Sequence, residues 1–366
     1  MRRLEPMSAA NPMSSGSAAE RLTPPVTSLT ALRELSKHSD MGRGSVADRL
    51  SEGRTLYSQV AAQLEALALS GPLGEETVLP TEWELVELLS VSRGTVRRAI
   101  ADLERSGLVW REAGRGTFVN PAARLRRVIW DRLIEVARPD SRFHFDFANF
   151  IPDFEGSRRC VDAIRRMPEY REARTIVVTA DNSLEVFRER ALADGKRLVV
   201  CTYGLLRGFV LVRGKRVRPE DRPLAATLDG MERCGKRLSY EELRAAGPLD
   251  LMVTGAAAVS REGVHFGKGH GYLELVWGLL SEMAIVGQQT PLIASVHECQ
   301  VVEESAPRAA YDVTVDVIVT PSEVVRCRPL PKPVGLSWER LPRRFVETRP
   351  YFEEVRQFKQ AGRGVA

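Results

Sequence analysis

Residues 263–280 contain a glycine-rich run, GKGHGY, whose residue types suit anion binding. Glycines let a backbone approach an anion closely, the amino terminus of a helix offers unpaired N–H groups, and Lys268 adds a positive charge. The run has neither the spacing of a P-loop nor that of a dinucleotide-binding fingerprint. It predicts an anion site, with a plain tight turn as the alternative. The candidate ligand-binding residues here are Gly267, Lys268, Gly269, His270, Gly271, Tyr272 and Glu274.

Two weaker groups of polar side chains follow further along the chain. His297, Glu298 and Cys299 could form a Cys–His nucleophile or a metal site. On a strand, however, only His297 and Cys299 would share a face, and two ligands do not make a zinc site. A packed strand end is therefore favoured, and no metal site is predicted. Asp312 and Asp316 either line the pocket of the glycine-rich run or cap a turn.

Arginines are concentrated in the second half of residues 79–119. Only three acids, Asp102, Glu104 and Glu112, lie among them. Segregated positive charge of this kind is typical of a surface that contacts phosphates, and a solvated basic face is the alternative. The six arginines are Arg93, Arg97, Arg98, Arg105, Arg111 and Arg115.

The local pattern around these arginines predicts a winged helix-turn-helix, an α+β domain. Thr81 followed by Glu84 is a capping-box signature, which places a helix start there. Ser92 can cap a second helix, whose apolar residues recur at helical spacing. Segments 109–111 and 117–119 then alternate like short strands around a Gly-Arg-Gly tip. An earlier helix is expected over residues 56–69.

From residue 124 onward, apolar strand-like runs alternate with helical ones. Continuously apolar strands are typical of parallel sheets buried on both faces, so we expect an α/β domain with a mostly parallel sheet. Sites in such sheets lie at the carboxyl ends of the strands. The predicted strands are 175–179, 197–202, 249–254, 292–296 and 315–319, and the predicted helices are 183–193, 241–245 and 272–284.

Length and composition limit the organisation of the chain. Its 366 residues, 43% of them hydrophobic, fit two domains and a tail. The five cysteines are scattered, and no run of about 18 apolar residues is present, so we expect a cytoplasmic chain outside the membrane. Translation starts at Met1 or Met41. The predicted segments are 1–44 (disordered tail), 45–121 (winged domain), 122–345 (α/β domain) and 346–366 (C-terminal helix and tail).

The winged segment resembles the DNA-binding domain of GntR-type transcriptional regulators. The resemblance lies in LPTEWEL, VSRGTVRRAI, SGLV and GRGTFV. It implies that Arg93, Thr95 and Arg97 meet an operator and that a homodimer binds an inverted repeat. Trp83 stands where the family usually has arginine; it either changes operator preference or packs against the preceding helix. The expected DNA-contacting residues are Thr81, Glu82, Ser92, Arg93, Thr95, Arg97, Arg98, Gly114, Arg115, Gly116 and Thr117.

Residues 124–340 resemble the 5-formyltetrahydrofolate cyclo-ligase family, and most of all the branch of methenyltetrahydrofolate synthase domain-containing proteins. The resemblance lies in LDLMVTGAAAVSREGVHFGKGHGY, TPLIASVHECQVVE, DVTVDVIVTP and PKPVGLSWERL. Catalytically active members of this family use ATP and Mg²⁺. The resemblance therefore implies ATP and Mg²⁺ as possible cofactors of this chain, and the sequence does not decide whether it binds them. The chain departs from the family loop at His270, Leu273, Glu274 and Leu275. The early ATP-binding lysine is also missing, although Arg126 follows nearby and joins the candidate ligand-binding residues.

These departures affect the chemistry rather than the scaffold, so we expect a sensor rather than an enzyme. The sequence predicts a sequence-specific DNA-binding transcriptional regulator whose cyclo-ligase-like domain senses a nucleotide, a folate or another phosphorylated metabolite. Its partners would be a double-stranded DNA operator, a small-molecule effector and a second copy of the chain. The alternative is a catalytically active, ATP-dependent 5-formyltetrahydrofolate cyclo-ligase that carries a DNA-binding domain.

Overall fold

A computed structural model describes residues 56–70, 77–140, 144–147, 149–268, 271–303, 308, 310–341 and 346–363. The chain divides into two compact units between Val128 and Ile129. The boundary predicted after residue 121 stays a prediction, and the predicted tail and both candidate start methionines lie outside the described residues. Within the described ranges, no helix has the length and apolar character needed to cross a membrane.

The first unit is a winged helix-turn-helix, which confirms the sequence prediction. Its strands form an antiparallel sheet in the order β1-β3-β2, where β1 was not predicted. The elements in chain order are α1 (Leu56–Leu69), β1 (Thr77–Val78), α2 (Glu82–Leu89), α3 (Arg93–Arg105), β2 (Val109–Glu112), β3 (Gly116–Val119) and α4 (Pro121–Leu133), the last of which continues past Val128.

Local sequence signals begin and end these helices. The Thr81 hydroxyl accepts from the Glu84 N–H while the Glu84 carboxylate accepts from the Thr81 N–H, a complete capping box at the start of α2. Ser90 ends α2 in the left-handed region, and the Ser92 hydroxyl accepts from the Thr95 N–H to begin α3. Each cap stabilises its helix by about 1 kcal/mol. The side chains that close the core include Val60, Leu64, Leu67, Leu85, Val96, Ala99 and Ile100.

The second unit is an α/β domain, also as predicted. Its helices are α5 (Ser157–Arg166), α6 (Pro168–Glu172), α7 (Glu185–Ala193), α8 (Arg222–Ala226), α9 (Leu228–Cys234), α10 (Tyr240–Ala245), α11 (Tyr272–Glu282) and α12 (Pro350–Arg363). Its strands are β4 (Thr175–Val178), β5 (Arg197–Cys201), β6 (Phe209–Arg213), β7 (Lys236–Leu238), β8 (Leu251–Thr254), β9 (Ala258–Ser260), β10 (His265–Phe266), β11 (Leu292–Ser295), β12 (Val301–Val302), β13 (Val317–Val319) and β14 (Val324–Arg326).

An eight-stranded sheet organises this unit, in the order β14-β13-β11-β8-β4-β5-β6-β7. The strands from β13 to β5 are parallel, and they are the strands that the apolar runs predicted. The outer strands β14, β6 and β7 pair antiparallel with their neighbours. Strands β10, β9 and β12 form a separate three-stranded sheet. The apolar runs predicted none of the strands β6, β7, β9, β12 and β14.

The strand order reverses at β4. The next parallel strand along the chain, β5, lies on one side of β4, and β8 lies on the other. Loops that leave β4 and β8 therefore diverge to opposite faces, and a crevice opens beyond the carboxyl ends of these strands. Buried side chains on both faces hold the sheet rigid beneath that crevice.

Candidate functional sites

A cleft lies at the carboxyl ends of β4, β5 and β8. Its lining comes from residues 179–182, 201–205 and 254–255, together with β10 and the amino-terminal turns of α11. It encloses about 730 Å³, a volume that includes solvent at its mouth.

Lys268 places a cation in this cleft. Its ammonium donates to the carbonyl of Asn149 at 3.0 Å, and it lies 5.6 Å and 5.7 Å from the ring centroids of Tyr203 and Tyr272. Burial lowers the pKa of Lys268, although the charges of Asp181 and Cys201 act in the opposite direction. Within the described residues no carboxylate lies at ion-pair distance from this ammonium. An anionic ligand would supply the missing counter-charge.

His265 lines the same cleft and is only 4% exposed. Its Nε2 donates to the carbonyl of Gly255 at 3.0 Å, which assigns the proton of the neutral ring to Nε2. Its Nδ1 lies 3.8 Å from a Glu274 carboxylate oxygen, too far for a hydrogen bond, and has no other partner in the described structure. Burial opposes the charged ring, but Glu274, the Gly255 carbonyl and the charge of Asp181 together raise the pKa of His265.

A buried arginine fixes the floor of the cleft. Arg188 on α7 is 1% exposed and donates to the carbonyl oxygens of Thr179 (3.0 Å), Asp181 (3.0 Å) and Ala226 (2.6 Å). Burial lowers the pKa of Arg188 to about 10. The Asp181 carboxylate in turn accepts from the Thr179 hydroxyl and from the N–H of Gly255. The loop after β4 is therefore fixed by Arg188 through its carbonyl oxygens and by Gly255 through the side chain of Asp181.

Arg188 was not among the predicted site residues. The available signal was its position in α7, between Phe187 and Ala191 on a face that is otherwise apolar. A second arginine of this kind comes from the C-terminal segment. Arg349 is 2% exposed and donates to the carbonyl of Gly204 at 2.9 Å, behind the cleft wall. No local pattern connects residues so far apart in the chain.

The predicted ligand-binding residues are only partly brought together. Glu274 faces His265, and Gly271 caps α11 in the left-handed region. Gly269 and His270 lie outside the described residues. Those that line the cleft are Gly267, Lys268 and Tyr272.

Arg126 stands apart from this group. It lies on α4 in the first unit, and it is not one of the residues that line the cleft. Burial lowers the pKa of its guanidinium to about 10. Its neighbour Arg124 is buried and donates to the carbonyl of Ala68 at 2.7 Å and to the hydroxyl of Thr77, so Arg124 stabilises the winged domain. The ligand-binding role of Arg126 stays a prediction.

Two expectations about polar side chains are wrong. His297 does not lie on a strand; it caps a 3₁₀ turn over Glu298–Gln300, where its ring accepts from the Cys299 N–H. The pocket alternative for Asp316 also fails, because this carboxylate lies at the amino ends of the strands. There it accepts from Leu292 and from the buried ammonium of Lys332, each at 2.7 Å. Cleft residues follow the opposite ends of the strands.

The cleft fits a phosphate or carboxylate better than a metal held by the protein alone. The described residues contain no cluster of three or more potential metal ligands. Asp181 is already occupied by Thr179 and Gly255, and Glu274 faces His265. Mg²⁺ is usually held by one or two carboxylates and by phosphates of the substrate. A magnesium ion would therefore have to arrive with a nucleotide.

In the first unit, two of the predicted DNA-contacting arginines, Arg93 and Arg97, lie with Arg111 around the carboxylate of Glu82. Glu82 lies 2.8 Å from Arg93, 3.6 Å from Arg97 and 3.9 Å from Arg111. Arg111 also lies 3.4 Å from Glu104, so two carboxylates among three guanidinium groups leave a net positive surface. The Glu82 carboxylate accepts from Arg93 Nε, and its own contact with DNA stays a prediction. Arg93 also covers the ring of Trp83, with 4.9 Å from its Cζ to the centroid.

The remaining predicted contacts lie on the caps and on the wing. Thr81, Ser92 and Thr95 form the helix-capping network, and Arg98 lies 4.5 Å over the ring of Tyr57. At the tip of the wing, Gly114 and Gly116 both have positive φ, which only glycine adopts without strain, and Arg115 pairs with Glu112 at 2.6 Å. Thr117 follows on β3 and is half-buried.

Comparisons with known proteins match the two units to two families. Residues 56–119 match the model of bacterial regulatory proteins of the gntR family, and residues 122–321 match that of the 5-formyltetrahydrofolate cyclo-ligase family. The methenyltetrahydrofolate synthase domain-containing protein of Bos taurus is 32% identical over 251 residues, which are 66% of this chain and 63% of the relative.

The human protein of the same name is 31% identical over 225 residues, 59% of this chain and 57% of that protein. The chain thus spans less than two thirds of the length of these two relatives. The HTH-type transcriptional repressor NagR of Bacillus subtilis is 42% identical over 65 residues, 18% of this chain and 27% of the repressor.

Proposed function

We propose that this chain, which belongs to the 5-formyltetrahydrofolate cyclo-ligase family and carries a gntR-family domain ahead of the ligase-like one, is a metabolite-responsive transcriptional regulator. Its winged domain binds a double-stranded operator in a sequence-specific manner. Its α/β domain binds an anionic metabolite in the cleft at the carboxyl ends of β4, β5 and β8.

The observation that carries the proposal is the half-buried ammonium of Lys268, which lies in a cleft without a carboxylate at ion-pair distance among the described residues. Burial of an uncompensated charge is costly, so a ligand that neutralises it gains affinity. His265 adds a ring nitrogen without a hydrogen-bond partner in the described structure. A nucleotide, a folate or another phosphorylated metabolite has the negative charge and the polar ring edges that such groups bind.

Regulation requires that the ligand distinguish two states of the protein. A metabolite that binds one state more tightly shifts the population toward it, and the same coupling changes operator affinity. We propose that a homodimer in the cytoplasm binds an inverted repeat, with one winged domain on each half-site. Two-fold symmetry of a protein is mirrored in an operator of this kind.

Capture of genomic DNA tests the DNA-binding half of the proposal. The purified full chain is mixed with sheared DNA of its own organism, and bound fragments are sequenced. We expect enrichment of a small set of fragments with a shared inverted repeat, and a change in their occupancy when ATP or 5-formyltetrahydrofolate is added. Uniform recovery of all fragments would contradict sequence-specific binding.

Thermal unfolding tests the ligand-binding half. ATP or 5-formyltetrahydrofolate at about a hundred times its dissociation constant should stabilise the chain by about 3 kcal/mol. Lys268→Ala should remove most of this shift, whereas the exposed Lys215→Ala serves as a matched control and should retain it. If neither compound raises the unfolding temperature, these two compounds are not the ligand class of the cleft.

A working ligase is the second candidate function, because the cyclo-ligase family model covers residues 122–321. Its test is formation of the methenyl product, followed by absorbance with 5-formyltetrahydrofolate, ATP and Mg²⁺. Turnover that disappears in Lys268→Ala but persists in Lys215→Ala would favour the enzyme over the sensor. An absence of turnover together with ligand-induced stabilisation would favour the sensor.

A further inference from the structure

Trp83 is a large apolar side chain on the surface of the winged domain. It is 62% exposed, although burial of an aromatic side chain is worth a few kcal/mol. It belongs to the first turn of α2, beside the capping box that begins this helix. The core of the unit does not account for it, since the buried residues of α2 are Leu85 and Leu89.

Trp83 contacts Arg93, the first residue of α3. The Cζ of Arg93 lies 4.9 Å from the centroid of the indole ring. Its Nε donates to the Glu82 carboxylate at 2.8 Å. The guanidinium is therefore held on one edge by a carboxylate and on one face by an aromatic ring. A planar group with both contacts has little rotational freedom left to lose on binding.

The held arginine keeps its terminal amines available. In the described part of the chain, the two Nη groups of Arg93 have no hydrogen-bond acceptor, and half of the side chain is exposed. A pair of guanidinium donors matches the O6 and N7 acceptors of guanine in the major groove. Arg93 stands at the amino terminus of α3, and the residues at this end of a recognition helix contact base edges.

Arg97, one turn further along α3, provides an internal comparison. It lies 3.6 Å from Glu82, is 61% exposed and has no aromatic ring against it among the described residues. The chain thus contains two neighbouring arginines that share one carboxylate, and only Arg93 is also covered by an indole ring. Any effect of Trp83 on base recognition should appear at the base that Arg93 meets and not at the base that Arg97 meets.

We propose that Trp83 is a specificity-determining residue of the DNA-binding surface. It acts as a positioning residue that presents the terminal amines of Arg93 to one guanine in each operator half-site. This inference rests on the proposed operator binding, which it makes specific to one base. An ordinary cation–π contact that only adds stability would not affect the choice of base.

The test begins with duplexes that the full-length protein selects from a random library. In the best duplex, each guanine is replaced in turn by 7-deazaguanine, which lacks the N7 acceptor. We expect the wild-type protein to lose affinity on the order of tenfold at one guanine of the half-site through its contact with Arg93. Arg93→Ala identifies this guanine, because the variant no longer responds to the replacement there.

The decisive variants are Trp83→Ala and Trp83→Phe. With Trp83→Ala, the loss at that guanine should fall below about threefold, while losses at the other guanines stay as in the wild type. Trp83→Phe retains a ring and should restore most of the discrimination. Because Trp83 is exposed, both variants should unfold at the wild-type temperature, which separates base recognition from folding.

Two outcomes would overturn the inference, and they differ from each other. If Trp83→Ala keeps the full discrimination at the guanine that Arg93 reads, Trp83 does not determine specificity, and operator binding stands. If Trp83→Ala instead weakens binding to all duplexes equally, without a change at any one guanine, Trp83 likewise does not determine specificity. If the wild-type protein selects no duplex at all, the proposed function fails and the inference fails with it.

Discussion

The two units of this chain place positive charge in opposite ways. On the winged domain, Arg93, Arg97 and Arg111 are at least partly exposed and surround Glu82. In the α/β domain, Lys268 lines a cleft without a carboxylate at ion-pair distance in the described structure, and Arg188 is buried with only backbone carbonyl oxygens as acceptors. Exposed cations cost little to maintain and attract a polyanion, whereas buried cations are costly and select a ligand by shape and charge.

Ionic strength should give the largest difference between the two regions. Between about 50 mM and about 200 mM salt, operator affinity should fall by about a thousandfold, as for proteins that neutralise several phosphates. Affinity for the metabolite in the cleft should fall by less than about tenfold, because a buried pair is screened less. Fluorescence anisotropy with labelled DNA and calorimetry with the metabolite measure the two slopes. Equal slopes would contradict the contrast between exposed and buried charge.

Replacement of Arg188 should have the next largest effect, and it should act on stability. Arg188→Met removes the donor to the carbonyl oxygens of Thr179, Asp181 and Ala226. We expect the free energy of unfolding to fall by about 3 kcal/mol, because buried acceptors would lose their partner. Urea unfolding followed by circular dichroism measures it. Arg190→Met on the exposed face of the same helix is the control and should change little.

Replacement of the exposed arginines should spare stability and reduce DNA binding. Arg93→Ala or Arg97→Ala should each weaken binding to a selected operator by about 1–3 kcal/mol. Neither should change the unfolding temperature, since exposed ion pairs contribute little. Titration of labelled operator, with thermal unfolding in parallel, checks both statements. Unchanged operator affinity in both variants would refute the assignment of α3 as the recognition helix.

The pH dependence of the cleft should give the smallest effect. Because the pKa of His265 is raised in the folded state, its interaction with Glu274 stabilises the fold fully below the ordinary value of 6.5. That stabilisation is lost as the pH rises through the folded-state pKa. The unfolding temperature of the wild type should therefore exceed that of Glu274→Gln most near pH 6 and less at higher pH. Glu241→Gln, an exposed control, should show no such trend.

Sequence patterns were most informative where a structure is local. The capping box at Thr81 and the left-handed glycines of the wing each depend on a few neighbouring residues, and both are present. The parallel strands were also predictable, because burial on both faces requires a continuous apolar run. Strands β7 and β14 were missed since they lie at the sheet edges, where partial exposure disturbs that pattern. Strand β6 is different, because its residues Phe209–Val212 form a buried apolar run that the same pattern could have identified.

The candidate cleft was predictable only in part. The glycine-rich run pointed to Gly267, Lys268 and Tyr272, because glycine content and a following helix are visible in a single segment. His265 lay beside that run but was not recognised, since its role depends on burial and on Glu274. Arg349 contributes from the far end of the chain through the carbonyl of Gly204, a contact that no spacing rule describes.

Local residue patterns specify the order of the two domains, the starts and ends of the recognition helices, and the presence of a basic surface and a glycine-rich turn. These depend on hydrogen bonds and periodicity within a few residues. Which charges meet depends on the folded chain: Glu82 lies among three arginines, Arg188 beneath the loop after β4, and Lys268 beside Asn149. The physical reason is that burial and the choice of partner come from segments far apart in the chain, and these set the energy of a charge.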